Sequence, residues 1–183
     1  MIERRRYTRL AGFLTAMTVV MTGVAGERLF AAAPVDTRTT DVRAVMRIDG
    51  LNGNNPTPIL EFSLGAQNSV STTGGGGGAG KVTFSNLVVS KLLDADSVPL
   101  LQAASTGQVL RSLVIDVFAG NSSVPFATYT FQDVIVVSTV FGASNSTVSE
   151  QDAFDFRTIT SNVTLNGQTF NSCFDIKTLS PCS

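Results

Sequence analysis

GGGGGAGKVTFSNLVVSKLLDADSVPLLQAASTGQVLRSLVIDVFAG, residues 74–120, carries the signals that decide the fold. After the glycines, Val82, Phe84, Leu87 and Val89 read as one β-strand running to about Lys91. A short helix over residues 98–105 follows. Ser97 is its expected N-cap, and Pro99 sits in the first turn, where a missing N–H costs nothing. Leu100, Leu101, Ala103 and Ala104 supply its apolar face, and Gly107 ends it. Alternation then resumes, with Leu113, Ile115 and Val117 set against Ser112, Val114 and Asp116 over residues 109–119.

Strand signals also dominate on either side. Residues 44–49 alternate and stop at Gly50, LNGNNPTP (51–58) is dense in turn formers, and ILEFSLG (59–65) is the next strand. GNSSVP (120–125) reads as a turn, residues 126–140 as a long strand, and GASNST (142–147) as a loop. A last long strand starts around Phe154, Phe156, Thr158 and Ile159, and Asn166-Gly167 is a two-residue hairpin turn into residues 169–176. The expected fold is mainly β, with roughly six to eight strands in a small antiparallel β-barrel and one short flanking α-helix.

Composition excludes several functions. The 183 residues include no His and no Trp, and charged residues are 15% of the chain. Without His there is no Ser-His-Asp or Cys-His nucleophile pair and no imidazole ligand for zinc. A net charge of −1 lacks the basic footprint of a nucleic-acid binder. No catalytic residue, cofactor site or metal site is expected.

GGGGGAGKV (74–82) matches a phosphate loop at Gly75, Gly80 and Lys81, but Val82 replaces the hydroxyl that a metal needs. A strand pattern follows Lys81 where such a loop feeds a helix, so the segment reads as a loop entering a strand. Asp94 and Asp96 begin like a calcium loop without its Gly or distal Glu, and read as a solvated turn ahead of the helix. Glu150, Asp152 and Asp155 are weighed as a carboxylate pair for glycoside chemistry and read instead as a wet loop. Sequons start at Asn121, Asn145 and Asn162 and matter only in a glycosylating pathway.

Residues 1–33 read as a secretory signal. Arg4, Arg5, Arg6 and Arg9 precede 17 uncharged residues (10–26), with cleavage expected after Ala25 or Ala33. A retained membrane anchor is the alternative, and the early arginines also fit twin-arginine export. Residues 34–42 read as a linker. Export places the protein in the periplasm, outside the cell or on its surface. There Cys173 and Cys182 are expected to form a disulfide worth about 2–3 kcal/mol, within one chain or between chains.

The same segments resemble the Hcp family, the haemolysin-coregulated tube proteins of type VI secretion. GGGGGAGKVTFSNLVVSK (74–91) is similar to that family's loop and third strand, and DADSVPLLQAASTGQ (94–108) to its helix segment. RIDGLNG (47–53) resembles its first strand, and ILEFSLG (59–65) its F-S-W-G strand with Leu64 in place of Trp. SLVIDVFAG (112–120), TYTFQDVIVVSTVFG (128–142) and SEQDAFDFRTIT (149–160) resemble the strands that follow. The resemblance covers residues 44–165 and assigns 43–166 to an Hcp-like barrel, with 167–183 a strand and Cys-containing tail outside it.

The resemblance implies a non-enzymatic tube protein. Its copies form a homo-hexameric ring, the rings stack, and secreted effectors or spike components are the partners. It places Thr72, Thr73, Gly74, Gly75, Gly76, Gly77, Gly78, Ala79 and Gly80 in a ring-stacking loop, and Ser63 either facing the lumen or on a solvent-facing strand position. Membrane contact is expected only through an uncleaved signal segment. The family's tube subunits carry no cleavable signal, which favours a second reading: an exported monomeric barrel reused as an adhesin, a ligand-binding module or an envelope protein.

Overall fold

The computed structural model describes residues 41–51, 54–69, 81–144 and 146–182. The expected signal (1–33), most of the linker (34–42) and the whole of residues 72–80 lie outside the described residues.

Twelve strands and one helix are present among the described residues. In chain order they are β1 (Val42–Ile48), β2 (Thr57–Ile59), β3 (Glu61–Ser63), β4 (Ala66–Asn68), β5 (Val82–Phe84), β6 (Leu87–Leu92), α1 (Ser97–Thr106), β7 (Val109–Ala119), β8 (Ala127–Ser144), β9 (Thr147–Asp155), β10 (Thr158–Leu165), β11 (Gln168–Asp175) and β12 (Ser180–Pro181). The count exceeds the six to eight expected because bends and phase slips cut continuous strand patterns into pieces. Val82 to Val89 is one such case. Phe84 and Leu87 are an odd number of residues apart, so alternation changes phase at Ser85-Asn86, and β5 and β6 enter different sheets.

Every pairing is antiparallel. β1 pairs with β7 and β2, β7 with β8, β8 with β9, β9 with β6, and β6 with β3. Leu60 alone separates β2 from β3, and its N–H bonds to Ser90 O at 2.8 Å. The bent segment 57–63 thus returns the sheet to β1, and the pairings run in a ring, which is the barrel. A wing of β10, β11 and β12 extends from the first third of β8.

β8 belongs to both parts. Residues 127–132 pair with β10 and residues 135–144 with β9. Between them Asp133 adopts φ 52 with the register unchanged, and one register shift follows between Val136 and Ser138. That shift is a β-bulge, which bends the strand locally within the sheet. GASNST (142–147), expected as a loop, is mostly strand: β8 runs through Ser144 and β9 starts at Thr147, with Ser146 in a left-handed turn at φ 69. The Asn166-Gly167 hairpin is present, with φ 51 and 77 and Leu165 opposite Gln168.

The core lies inside the ring. Met46 and Ile48 of β1, Leu113 and Ile115 of β7, Phe131, Val134 and Val136 of β8, Leu87 and Val89 of β6, and Phe154 of β9 are buried. Helix α1 packs Leu100 and Ala103 into it. The helix starts one residue earlier than the sequence suggested, and Asp96 occupies the N-cap position in place of Ser97. Ser97 is drawn off by a buried charge cluster described below. At the other end Gly107 takes φ 67 and bonds back to Ala103 O, as expected.

Phe154→Ala should cost about 3–5 kcal/mol, because Phe154 is fully buried where β9 meets β6. Urea unfolding followed by far-UV circular dichroism will show it as a lower midpoint at unchanged slope.

Candidate functional site

Three features stand out. The first is the stem of the Gly-rich segment. β4 and β5 pair as Ala66 with Phe84, Gln67 with Thr83 and Asn68 with Val82, and Ser69 N–H reaches Lys81 O at 3.4 Å. Gly65 N–H donates to Ser85 Oγ at 2.8 Å, and a Cβ on Gly65 would stand 3.3 Å from that oxygen, so the close approach favours glycine. Phe84 anchors the stem: its ring lies 5.4 Å from Phe174 of β11 and 6.3 Å from Phe156. Val82–Phe84 is strand, so Lys81 leads into a strand and not into a helix N-terminus.

Residues 72–80, expected to stack rings, lie outside the described residues. Ser63 is described: it is exposed on β3, opposite Val88 of β6.

The second feature is the disulfide. Cys173 and Cys182 are bonded within the chain, with Cα atoms 5.3 Å apart. The bond holds β12 on the outer edge of β11, where only Phe174 with Pro181 and Asp175 with Ser180 are in register. Asp175 organises the intervening turn. It accepts the Thr178 and Lys177 N–H groups at 3.1 and 2.8 Å and meets Arg157 at 3.2 Å. Those contacts, led by the Thr178 N–H, hold its carboxyl below the usual range. Cavities of about 460 and 530 Å³ open beside the bond, and Cys173, Pro181 and Cys182 line both.

The third feature is a cluster of charge inside the barrel. Lys91 of β6 is 0% exposed and stands opposite Glu150 of β9, also buried, with Nζ 2.9 Å from Oε2. Lys91 Nζ also donates to Asp94 at 2.7 Å and to Ser97 Oγ at 3.0 Å. The Ser97 hydroxyl donates in turn to Glu150, and Ser97 Oγ accepts the Asp94 N–H at 3.0 Å. Burial works to lower the Lys91 pKa, but its bonds to Asp94 and Glu150 outweigh that and leave it raised.

Asp152, two residues along β9 on the same face, has no exposed surface, and neither carboxyl oxygen closes a hydrogen bond of ordinary geometry. Burial, followed by the adjacent Glu150 charge, pushes it up to about 7; Thr139, opposite it on β8, works the other way. Beside the cluster, Asp96 is buried and accepts a hydrogen bond from the Thr57 hydroxyl.

This cluster overturns two expectations. Asp96 departs from the expected solvated turn, because it is buried against the Thr57 hydroxyl, whereas Asp94 stays exposed in that turn while bonding Lys91. Glu150 and Asp152 are not a wet loop, because they share the inward face of β9 with Phe154. Asp155 is exposed and apart from them. A signal was present in both strands: Leu87, Val89 and Lys91, like Glu150, Asp152 and Phe154, keep strict period-two spacing with apolar neighbours. Among the described residues, no group of three His, Cys, Asp or Glu is placed to hold a metal ion.

The cluster makes folding pH-dependent. Asp152 titrates near 7 when folded and near 3.8, its ordinary value, when unfolded, so the folded chain binds the extra proton. Its contribution is fully present below the lower value and is lost as pH rises to about 7. Asp152→Asn should therefore flatten the pH profile, gaining on the order of 4 kcal/mol over the native chain between pH 4 and 8. Lys91→Met leaves Glu150 buried without its cation and should cost about 3–5 kcal/mol. Urea unfolding at a series of pH values checks both.

The family model described as "Type VI secretion system effector, Hcp" matches residues 47–163. A search of curated proteins finds no match. Among solved structures, Hcp1 from Salmonella typhimurium superposes with a TM-score of 0.66 at 21% identity, covering 77% of this chain and 99% of its own. A structure described as a type six secretion system protein gives 0.68 at 22%, covering 78% and 100%. A type VI secretion system effector from Yersinia pestis gives 0.58 at 18%, covering 72% and 98%. These likenesses show a shared fold, and the match over residues 47–163 adds the family: the chain belongs to the Hcp family of type VI secretion proteins.

Proposed function

We propose that this protein is a non-enzymatic structural subunit of the Hcp tube type. Its copies form hexameric rings, the rings stack through residues 72–80, and the assembly carries secreted effectors or joins spike components. The observation that carries this reading is the family match over the barrel and its helix, residues 47–163. The geometry of the stem supports it. Phe84 fixes the base of residues 70–80 to β11 and the core, which gives an inter-ring contact a firm root. Ser63, exposed on β3, is the lumen candidate.

In this reading residues 1–33 direct export, and the protein works in the periplasm, outside the cell or on its surface. The intrachain disulfide supports that placement, since such bonds persist in oxidising compartments. No helix among the described residues is long and apolar enough to cross a membrane. The second reading, a monomeric exported barrel reused for adhesion, ligand binding or an envelope role, is favoured by the bonded tail, which covers part of a sheet edge.

The native mass of the oxidised chain from residue 34 onward, followed over a concentration series, separates the two. A stable hexamer is expected, and a monomer at every concentration would overturn the ring. Replacing residues 74–78 with bulky side chains should leave the hexamer intact and abolish longer particles in electron micrographs. Unchanged particle length would remove the loop from stacking.

A further inference from the structure

We propose that residues 178–182 are an exchangeable strand: they can leave their own β11 and take the same seat on β11 of a second copy, with the Cys173–Cys182 bond then made between chains. The seat is small. It consists of two register pairs and one further bond, from Cys182 N–H to Cys173 O at 3.2 Å. Apart from the disulfide, little backbone pairing ties the strand to its own chain.

The connection is strained at one point. Leu179, with φ 55, is a non-glycine residue in the left-handed region. Opening the turn into extended chain removes that strain, and short strained hinges favour strand exchange. The seat also has open space beside it. Residues 168–172 have no strand on their outer edge among the described residues, and none of them is charged, so nothing there repels an incoming chain.

The bond itself is placed to exchange. Cys182 is exposed and Cys173 half-buried, and the cavities of about 460 and 530 Å³ admit a small thiol beside them. The Thr160 hydroxyl lies 3.2 Å from Cys173 Sγ and donates to it, which stabilises Cys173 as the departing thiolate. A thiolate of the glutathione class attacks Cys182 Sγ, the Cys173–Cys182 bond breaks, and a mixed disulfide remains on Cys182. Cys173 thiolate of the second copy then attacks that mixed disulfide at Cys182 and expels the small thiolate. One disulfide is exchanged for another, and no net electrons are gained or lost. The partner is a second copy because the seat already holds this very sequence, with its cysteine in bonding position. Exchange needs two adjacent copies and no ring of six, so its outcome is separate from that of the hexamer.

The test mixes isotopically light and heavy protein, incubates it in a glutathione redox buffer, and maps disulfide peptides after quenching with acid. Cys173–Cys182 peptides joining a light to a heavy chain are expected, and Leu179→Gly, which relieves the turn, should lower them several-fold. A map holding only same-isotope Cys173–Cys182 peptides would overturn the proposal. A second experiment mixes Cys173→Ser with Cys182→Ser protein. A link from Cys173 of one chain to Cys182 of the other, several-fold above symmetric links, is expected; symmetric links alone would also overturn it.

Discussion

β8 pairs with β10 through residues 127–132 and with β9 through residues 135–144, with Asp133 between them at φ 52. Arg157, at the junction of β9 and β10, meets Asp133 at 3.6 Å and Asp175 at 3.2 Å. β9 and β10 follow one another along the same edge of β8 in one register, so the barrel and the wing share a ladder. The wing lies beside the β4–β5 stem, where Phe84 meets Phe174. The loop stem, the disulfide and the barrel core are therefore parts of one hydrogen-bonded framework.

Inside that framework the barrel core is divided. Where β6 meets β9, the inward pairs run from Leu87 with Phe154, through Val89 with Asp152, to Lys91 with Glu150. The charged end lies beneath the start of α1, so the cluster fixes where the helix begins as well as how the strands register. Slipping β9 by one residue would bury Gln151 and Ala153 and leave Lys91 without a carboxylate. The cost is an excess of buried acid, which falls on Asp152. That proton links fold stability to the surrounding pH.

The wing contrasts with the core. β12 is held by two register pairs and a disulfide, and residues 168–172 present an uncharged edge. Barrel proteins usually remove or blunt such edges. Here a short bonded strand covers one end of the edge, and residues 168–172 have no strand beside them among the described residues, which suits the proposed exchange with another copy. The assembly proposed for this chain thus has two contact regions, residues 72–80 beyond the β4–β5 stem and the edge of β11, and Phe84 and Phe174 bring that stem and edge together.

Legible in the amino-acid order were the class of the fold, helix α1, the Asn166-Gly167 hairpin and the resemblance to the family. The first three depend on local spacing (alternation along strands, a proline in the first helical turn, two residues able to take positive φ), and the last on the resemblance of whole segments. The pairing of Cys173 with Cys182 was legible too, although its confinement to one chain was not. Tertiary structure alone decided where strands bend and where β10 gives way to β9 along β8, because both are set by long-range pairing. It also decided the fate of the acids. Asp96, Glu150 and Asp152 look like surface residues in a chain read one segment at a time. Glu150 is inside because Lys91, more than fifty residues away, shares a ladder with it, and a buried cation needs its counter-charge close by; Asp152 follows on the same face, and Asp96 bonds to Thr57.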